Sequence, residues 1–444
     1  MNMFSFFTPK QERVYLDNAG ATPLSARSQT ALTESLSLYG NPSGIHKEGT
    51  QAGLLLDKAR VLCANVLNAH AYEIYFVGTG TESCNLAVLG TYEGYKKQEV
   101  RSMEQETPDE ERRTKNELPH VIVSTIEHPA VLEPIRKLER EKKIRVTYLP
   151  VYENGIVKVK DIRDVLCEET ILVSVMYANN EIGTIQPVKE IGRALEEWKK
   201  EQNRTHTAYP YFHIDACQAA NYCNLDVVRL RAHLMTVNSS KVYGPKGVAL
   251  LYKREGVKIE ALTHGGGQER ALRSGTESAP LAYAFGVALK ESHDMKEVES
   301  VRLRMLRDAC KKELQQALPD ITFYGAWDEG RLQTTDDRQQ KSPTTHEERR
   351  TKNEFRLPNN INCRVPGISS EEMILRLDAK GFAVSHKSAC ASSETDGSYV
   401  VQALGASEEE SLENVRITLG RATSMQDLHR LVEAMKEIVI KYRK

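Results

Sequence analysis

No stretch of the 444-residue chain approaches the roughly 20 consecutive apolar residues that a membrane-spanning helix needs, so no span is expected. The opening "MNMFSFFTPK" carries an apolar patch but lacks the basic flank and small-residue cleavage site of a secretory leader. Together these absences predict a cytoplasmic protein without a membrane partner. A surplus of charge is missing too: 60 basic residues stand against 61 acidic ones, the net charge is −1, and no global field favours nucleic acid. Cysteine is unpatterned, with eight residues at Cys63, Cys84, Cys167, Cys217, Cys223, Cys310, Cys363 and Cys390 and no C-x-x-C pair. That scatter predicts reduced thiols and argues against a metal site of the structural-zinc kind.

What is present is alternation. From about residue 70, short β-branched runs such as "HVIVSTI" (120–126), "TILVSVMY" (170–177), "YPYFHIDA" (209–216) and "HLMTVNSS" (233–240) alternate with amphipathic stretches such as "PAVLEPIRKLEREKK" (129–143). The pattern predicts an α/β fold with a mainly parallel sheet. After about residue 275 it changes to long helices with a few strands, "SLENVRITLG" (411–420) among them. We therefore expect an N-terminal segment (1–15), a large domain (16–265) and a smaller α/β C-terminal domain (266–444). Two polar stretches, about 97–118 and 328–355, share the octapeptide "EERRTKNE" at 110–117 and 347–354 and read as related, solvated loop insertions.

Three features carry chemistry. "FVGTGTESCNLAVLG" (76–90) passes from strand through Gly80 and Thr81 into a helix, an N-terminus suited to phosphate. Asp215 ends a strand in "FHIDACQAA", where an acid also serves as a cap or ion-pair partner. Lys241 follows a strand and precedes "VYGPKG", so its amine can project into the cleft at the strand ends, although a solvated lysine in a turn fits the same residues. Taken together, a phosphate cradle, a strand-end acid and a strand-end lysine match the needs of pyridoxal 5'-phosphate. His128, in "STIEHPAV", adds a group for ring stacking or proton transfer.

With these motifs in order, together with "YLDNAGATPL" (15–24), "NPSGIHKEG" (41–49), "NNEIGTIQPV" (179–188), "HGGGQERALRSGT" (264–276), "SAC" (388–390) and "VRITLG" (415–420), the chain strongly resembles the cysteine desulfurases. These are fold-type I pyridoxal-phosphate enzymes of the class V aminotransferase group. The resemblance implies a seven-stranded, mainly parallel sheet in the large domain and a homodimer with shared active sites. It implies that Lys241 holds the cofactor as a Schiff base, that Asp215 pairs with the pyridine nitrogen, and that His128 stacks on the ring. Asn180 and Gln218 would address the phenolic oxygen, and Gly80, Thr81 and the residues before Lys241, Asn238 and Ser240 among them, the phosphate. Thr276 would reach the phosphate of the neighbouring subunit, and Arg416, with Asn180, would bind the carboxylate of the substrate L-cysteine. Cys390 would take its sulfur as a persulfide, leaving alanine, and pass it to an acceptor protein, either an iron–sulfur scaffold or a thiolation factor.

The residues around Cys390, "VSHKSACASSETDGS" (384–398), are small and polar, as suits a mobile loop of the long form seen in iron–sulfur assembly and thiolation desulfurases. Two departures stand out. Asn238 and Ser240 occupy positions where this subgroup usually has Ser and His, and His386 and Lys387 precede "SAC" where Ser and Gly are usual. The latter pair either lowers the thiol pKa or merely faces solvent. Selenocysteine lyase, which shares the fold, and a catalytically weakened scaffold homologue are the alternatives.

Overall fold

The computed structural model describes residues 13–105, 117–327, 355–387 and 397–442. Cys390, the stretch 328–354 and most of the first octapeptide copy lie outside them. The strands are β1 (Val14–Tyr15), β2 (Ile74–Val77), β3 (His120–Ser124), β4 (Arg145–Leu149), β5 (Thr170–Ser174), β6 (Tyr211–Asp215), β7 (Leu234–Asn238), β8 (Ala249–Lys253), β9 (Thr322–Phe323), β10 (Asn360–Arg364), β11 (Phe382–Ala383) and β12 (Asn414–Thr418). Seven form one sheet in the order β2-β8-β7-β6-β5-β3-β4. Its β8 runs antiparallel to both neighbours, and the remaining pairs are parallel. Helices cover both faces, so alternate residues of one strand enter different cores: Ile74 and Phe76 one, Tyr75 and Val77 the other.

A further core gathers around the antiparallel sheet β12-β10-β9 and the parallel pair β1-β11. The helix Ala279–Ala317 ties the cores together. Ala282, Phe285 and Leu289 pack against the large sheet, whereas Leu303, Cys310 and Leu314 pack with Ile361, Val415 and Ile417. One expectation is corrected here. The helix starting at Gly80 runs on to Gln105, so 97–105 are helical rather than the start of a loop. Its Lys, Gln, Glu, Arg and Met residues are strong helix formers extending an existing helix, and the first proline beyond is Pro108. Among the described residues no helix is long and apolar enough to cross a membrane.

Candidate active site

Because β3, β6 and β7 run parallel, the residues at their C-terminal ends share one edge of the sheet. His128 follows β3, Asp215 ends β6, and Lys241 closes the 3₁₀ turn Ser239–Lys241 directly after β7. The Lys241 Nζ donates to the carbonyls of Ala19 at 2.8 Å and Gly20 at 2.5 Å. Gln218 Nε2 donates to the same Ala19 carbonyl at 2.9 Å. The loop after β1 thus brings Lys241 and Gln218 together.

His128 caps the helix Pro129–Arg140, and its Nδ1 accepts the Ala130 N–H at 3.1 Å. Burial lowers its pKa, Lys241 and Arg416 lower it further, and Asp215 works in the opposite direction. The ring is therefore neutral with its proton on Nε2, since Nδ1 is the acceptor. Asp215 is buried, its Oδ1 accepts the Cys217 N–H at 3.0 Å, and its Oδ2 faces the Cys84 thiol at 3.9 Å. Gly80 opens a 26-residue helix against the Asn238 turn. A Cβ there would lie 3.2 Å from Asn238 Nδ2 and 3.4 Å from Cys217 Sγ, which explains the glycine. Asn238 Oδ1 accepts from both the N–H and the Oγ of Ser240 at 3.3 Å, so these two departures from the usual motif brace each other. Thr81 is exposed at the same helix end.

Arg416, on β12, is 1 % exposed. Its Nη2 donates to Asp17 Oδ1 at 2.8 Å and its Nη1 to the Asn180 carbonyl at 3.1 Å, whereas Nε is buried without a partner among the described residues. The bridge Ser385–Arg416 fixes the stem of the Cys390 loop beside this guanidinium. In that stem the expectation for His386 is corrected. Burial, with Lys387 and Arg416 nearby, pulls its pKa down to about 4, so at neutral pH it is an uncharged, half-buried ring. Lys387 is buried and does not face solvent. Cys390 itself lies outside the described residues. Thr276 is exposed and lines a cavity of about 160 Å³ with Gly78, Gly247 and Arg273.

Three site residues have no counterpart in the sequence reading. Asp17 sits in the quoted "YLDNAGATPL", but its partner is 399 positions away. Glu127 is fully buried beside His128, and burial pushes its carboxyl up to about 8 while Ser124 and the Met176 N–H bond to Oε1. Cys84 is, by its sequence, one of eight unpatterned thiols.

A strand-end lysine, a buried acid, a neutral histidine and an exposed helix N-terminus suit a phosphorylated aromatic cofactor, and the buried guanidinium suits a carboxylate. The Aminotransferase class-V family model matches residues 14–106 and 111–336. "Cysteine desulfurase IscS" of Methanosarcina thermophila is 36% identical over 435 residues, covering 98% of this chain and 94% of its own length. The human "Cysteine desulfurase" is 32% identical over 429 residues, covering 96% and 81%. Among solved structures, "NIFS-LIKE PROTEIN" superposes with a TM-score of 0.78 at 28% identity, covering 97% of this chain and 100% of that one. "SspA in complex with cysteine" does so at 0.67 with 26% identity, covering 91% and 98%. The chain belongs to the class-V aminotransferase family and, within it, is a cysteine desulfurase.

Proposed function

We propose that this desulfurase uses pyridoxal 5'-phosphate held by Lys241, takes the sulfur of L-cysteine onto Cys390, and works as a cytoplasmic homodimer that passes the sulfur to an acceptor protein. The observation that carries the reading is the convergence of Lys241, Asp215, His128 and Gly80 at one edge of the sheet. When bound, the cofactor supplies an electron sink for the substrate α-carbon. The residues fit it: the helix N-terminus at Gly80 and Thr81 for the phosphate, and Asp215, whose carboxylate meets the Cys84 thiol and the Cys217 amide among the described residues, for a protonated ring nitrogen.

Arg416 orients the substrate through its carboxylate, its guanidinium being fixed in place by Asp17 and the Asn180 carbonyl. The Cys390 thiolate attacks the substrate sulfur. An S–S bond forms as the substrate Cβ–S bond breaks, the electron pair of that bond stays with the carbon fragment, and protonation releases it as alanine. The exposed apolar side chains of Tyr39, Ile45 and Leu54 support a second subunit covering them. The acceptor is an iron–sulfur scaffold or a thiolation factor.

Borohydride reduction of the cofactor-loaded protein followed by peptide mass mapping tests the assignment. The cofactor mass is expected on the peptide containing Lys241. Its appearance on another lysine, with Lys241 unmodified, would overturn the reading.

A further inference from the structure

Beneath Asp215 lies a buried chain of hydroxyls and a histidine whose hydrogen positions can be assigned from their partners. Ser83 Oγ donates to the Leu250 carbonyl at 3.1 Å, which commits its only proton. The 2.8 Å contact between Ser83 Oγ and Thr236 Oγ1 must then use the threonine's proton. Thr236 Oγ1, its proton spent, accepts from His213 Nε2 at 3.1 Å, and His213 Nδ1 accepts from Ser174 Oγ at 2.9 Å. A neutral imidazole satisfies both ends, and burial holds the pKa of His213 down to about 4. Ser83, Thr236, His213 and Ser174 are all fully buried. None of the hydroxyls of Ser83, Thr236 and Ser174 therefore has a proton left for Asp215.

Cys84 stands between the chain and the acid. Its thiol lies 3.7 Å from Thr236 Oγ1 and 3.9 Å from Asp215 Oδ2, and the residue is 1 % exposed. Burial and the Asp215 charge keep it a thiol, as they do Cys217, which meets the same carboxylate from the half-exposed side. A thiol is a far weaker donor than a hydroxyl and its hydrogen bond is longer. The fold thus surrounds Asp215 with protons that compete little for Oδ2.

We infer that Cys84 is a positioning residue that leaves Oδ2 of Asp215 without a strong hydrogen-bond donor of the protein, so that the carboxylate keeps its full attraction for the protonated ring nitrogen of the cofactor. This inference rests on the reading of Asp215 given above and adds a residue that acts through it. A serine at position 84 would present a stronger donor to Oδ2 and weaken that pairing, whereas an alanine would present none. A role in packing predicts the reverse order, because alanine leaves a void where serine nearly fills it.

The test compares Cys84→Ser and Cys84→Ala in the full chain, measuring the dissociation constant of pyridoxal 5'-phosphate from the apo-protein together with the apo-protein melting temperature. Cys84→Ser is expected to weaken binding by about fivefold to tenfold, the scale of one hydrogen bond to a charged group, with Cys84→Ala within about twofold of wild type. Alanine binding the cofactor more weakly than serine would overturn the inference. Asp215→Asn separates the two levels: unchanged cofactor affinity in that variant would show that the reading of Asp215 has failed, whatever the Cys84 variants do.

Discussion

Arg416 and Asp17, 399 positions apart in sequence, meet through a 2.8 Å bond between Nη2 and Oδ1, while Arg416 Nε stays buried without a partner among the described residues. The guanidinium is held in place through both Nη atoms, and its Nε is buried with its donor capacity unspent among the described residues. Arg416→Lys retains a charge but loses the planar fork that aligns two donors. We expect kcat/KM for L-cysteine to fall by about 30-fold to 150-fold, equivalent to ~2–3 kcal/mol, with most of the change in KM. Steady-state kinetics on both variant and wild type measure this, and a variant within about threefold of wild type would remove Arg416 from substrate binding.

A second ion pair supports the Thr276 segment. Arg60 and Glu269 are paired at 2.7 Å with both side chains buried, and Glu269 also accepts the Phe76 N–H at 3.0 Å. Glu269, Arg270 and Ala271 all have positive φ, of 44°, 55° and 63°, a conformation unfavourable for side chains. Removing the cation strands a buried carboxylate in this turn. Arg60→Ala is expected to destabilise the protein by ~3–5 kcal/mol in denaturant unfolding, and Arg60→Lys by less.

Two buried groups give opposite pH trends. Glu127 is held near 8, above its ordinary value of 4.5, so the folded state binds the extra proton, and stability present below 4.5 is lost as pH rises through 8. Lys199, hydrogen-bonded to His233 in the interior and pulled down chiefly by burial to about 7, is protonated more readily when unfolded, so its contribution to stability rises with pH between 7 and 10.5. Each slope approaches ~1.4 kcal/mol per pH unit within its window. Unfolding measured against pH should lose the descending component in Glu127→Gln and the ascending one in Lys199→Met.

His386 is uncharged near neutrality, so it supplies no positive field to the loop thiol. The rate of Cys390 alkylation by iodoacetamide should have the same pH midpoint in His386→Gln as in wild type between pH 6 and 9. A shift of the midpoint upward would show that a charged imidazole assists the thiolate.

The legibility of the site follows from the range of its contacts. Lys241, Asp215 and His128 were visible because each sits at the end of an apolar strand, where periodicity stops and polar residues begin. The parallel topology then places strand ends together without further information. Asp17 was hidden because its role depends on β12 returning to the loop after β1, a pairing that no local pattern encodes. Cys84 was hidden because a thiol in an apolar helix reads as core until the proton assignments around Thr236 are known. The charged stretch 97–105 has the composition of a solvated loop, yet an exposed continuation of a helix has the same composition.

The central claim is that sulfur leaves L-cysteine onto Cys390 while Lys241 holds the cofactor. Mass mapping of the holoenzyme after brief incubation with L-cysteine, comparing wild type with Cys390→Ser, tests it most directly. A gain of one sulfur atom on the Cys390 peptide of wild type is predicted, absent from the variant even though the visible absorbance of its bound cofactor is unchanged. An added sulfur on any other cysteine that survives in Cys390→Ser would contradict the account.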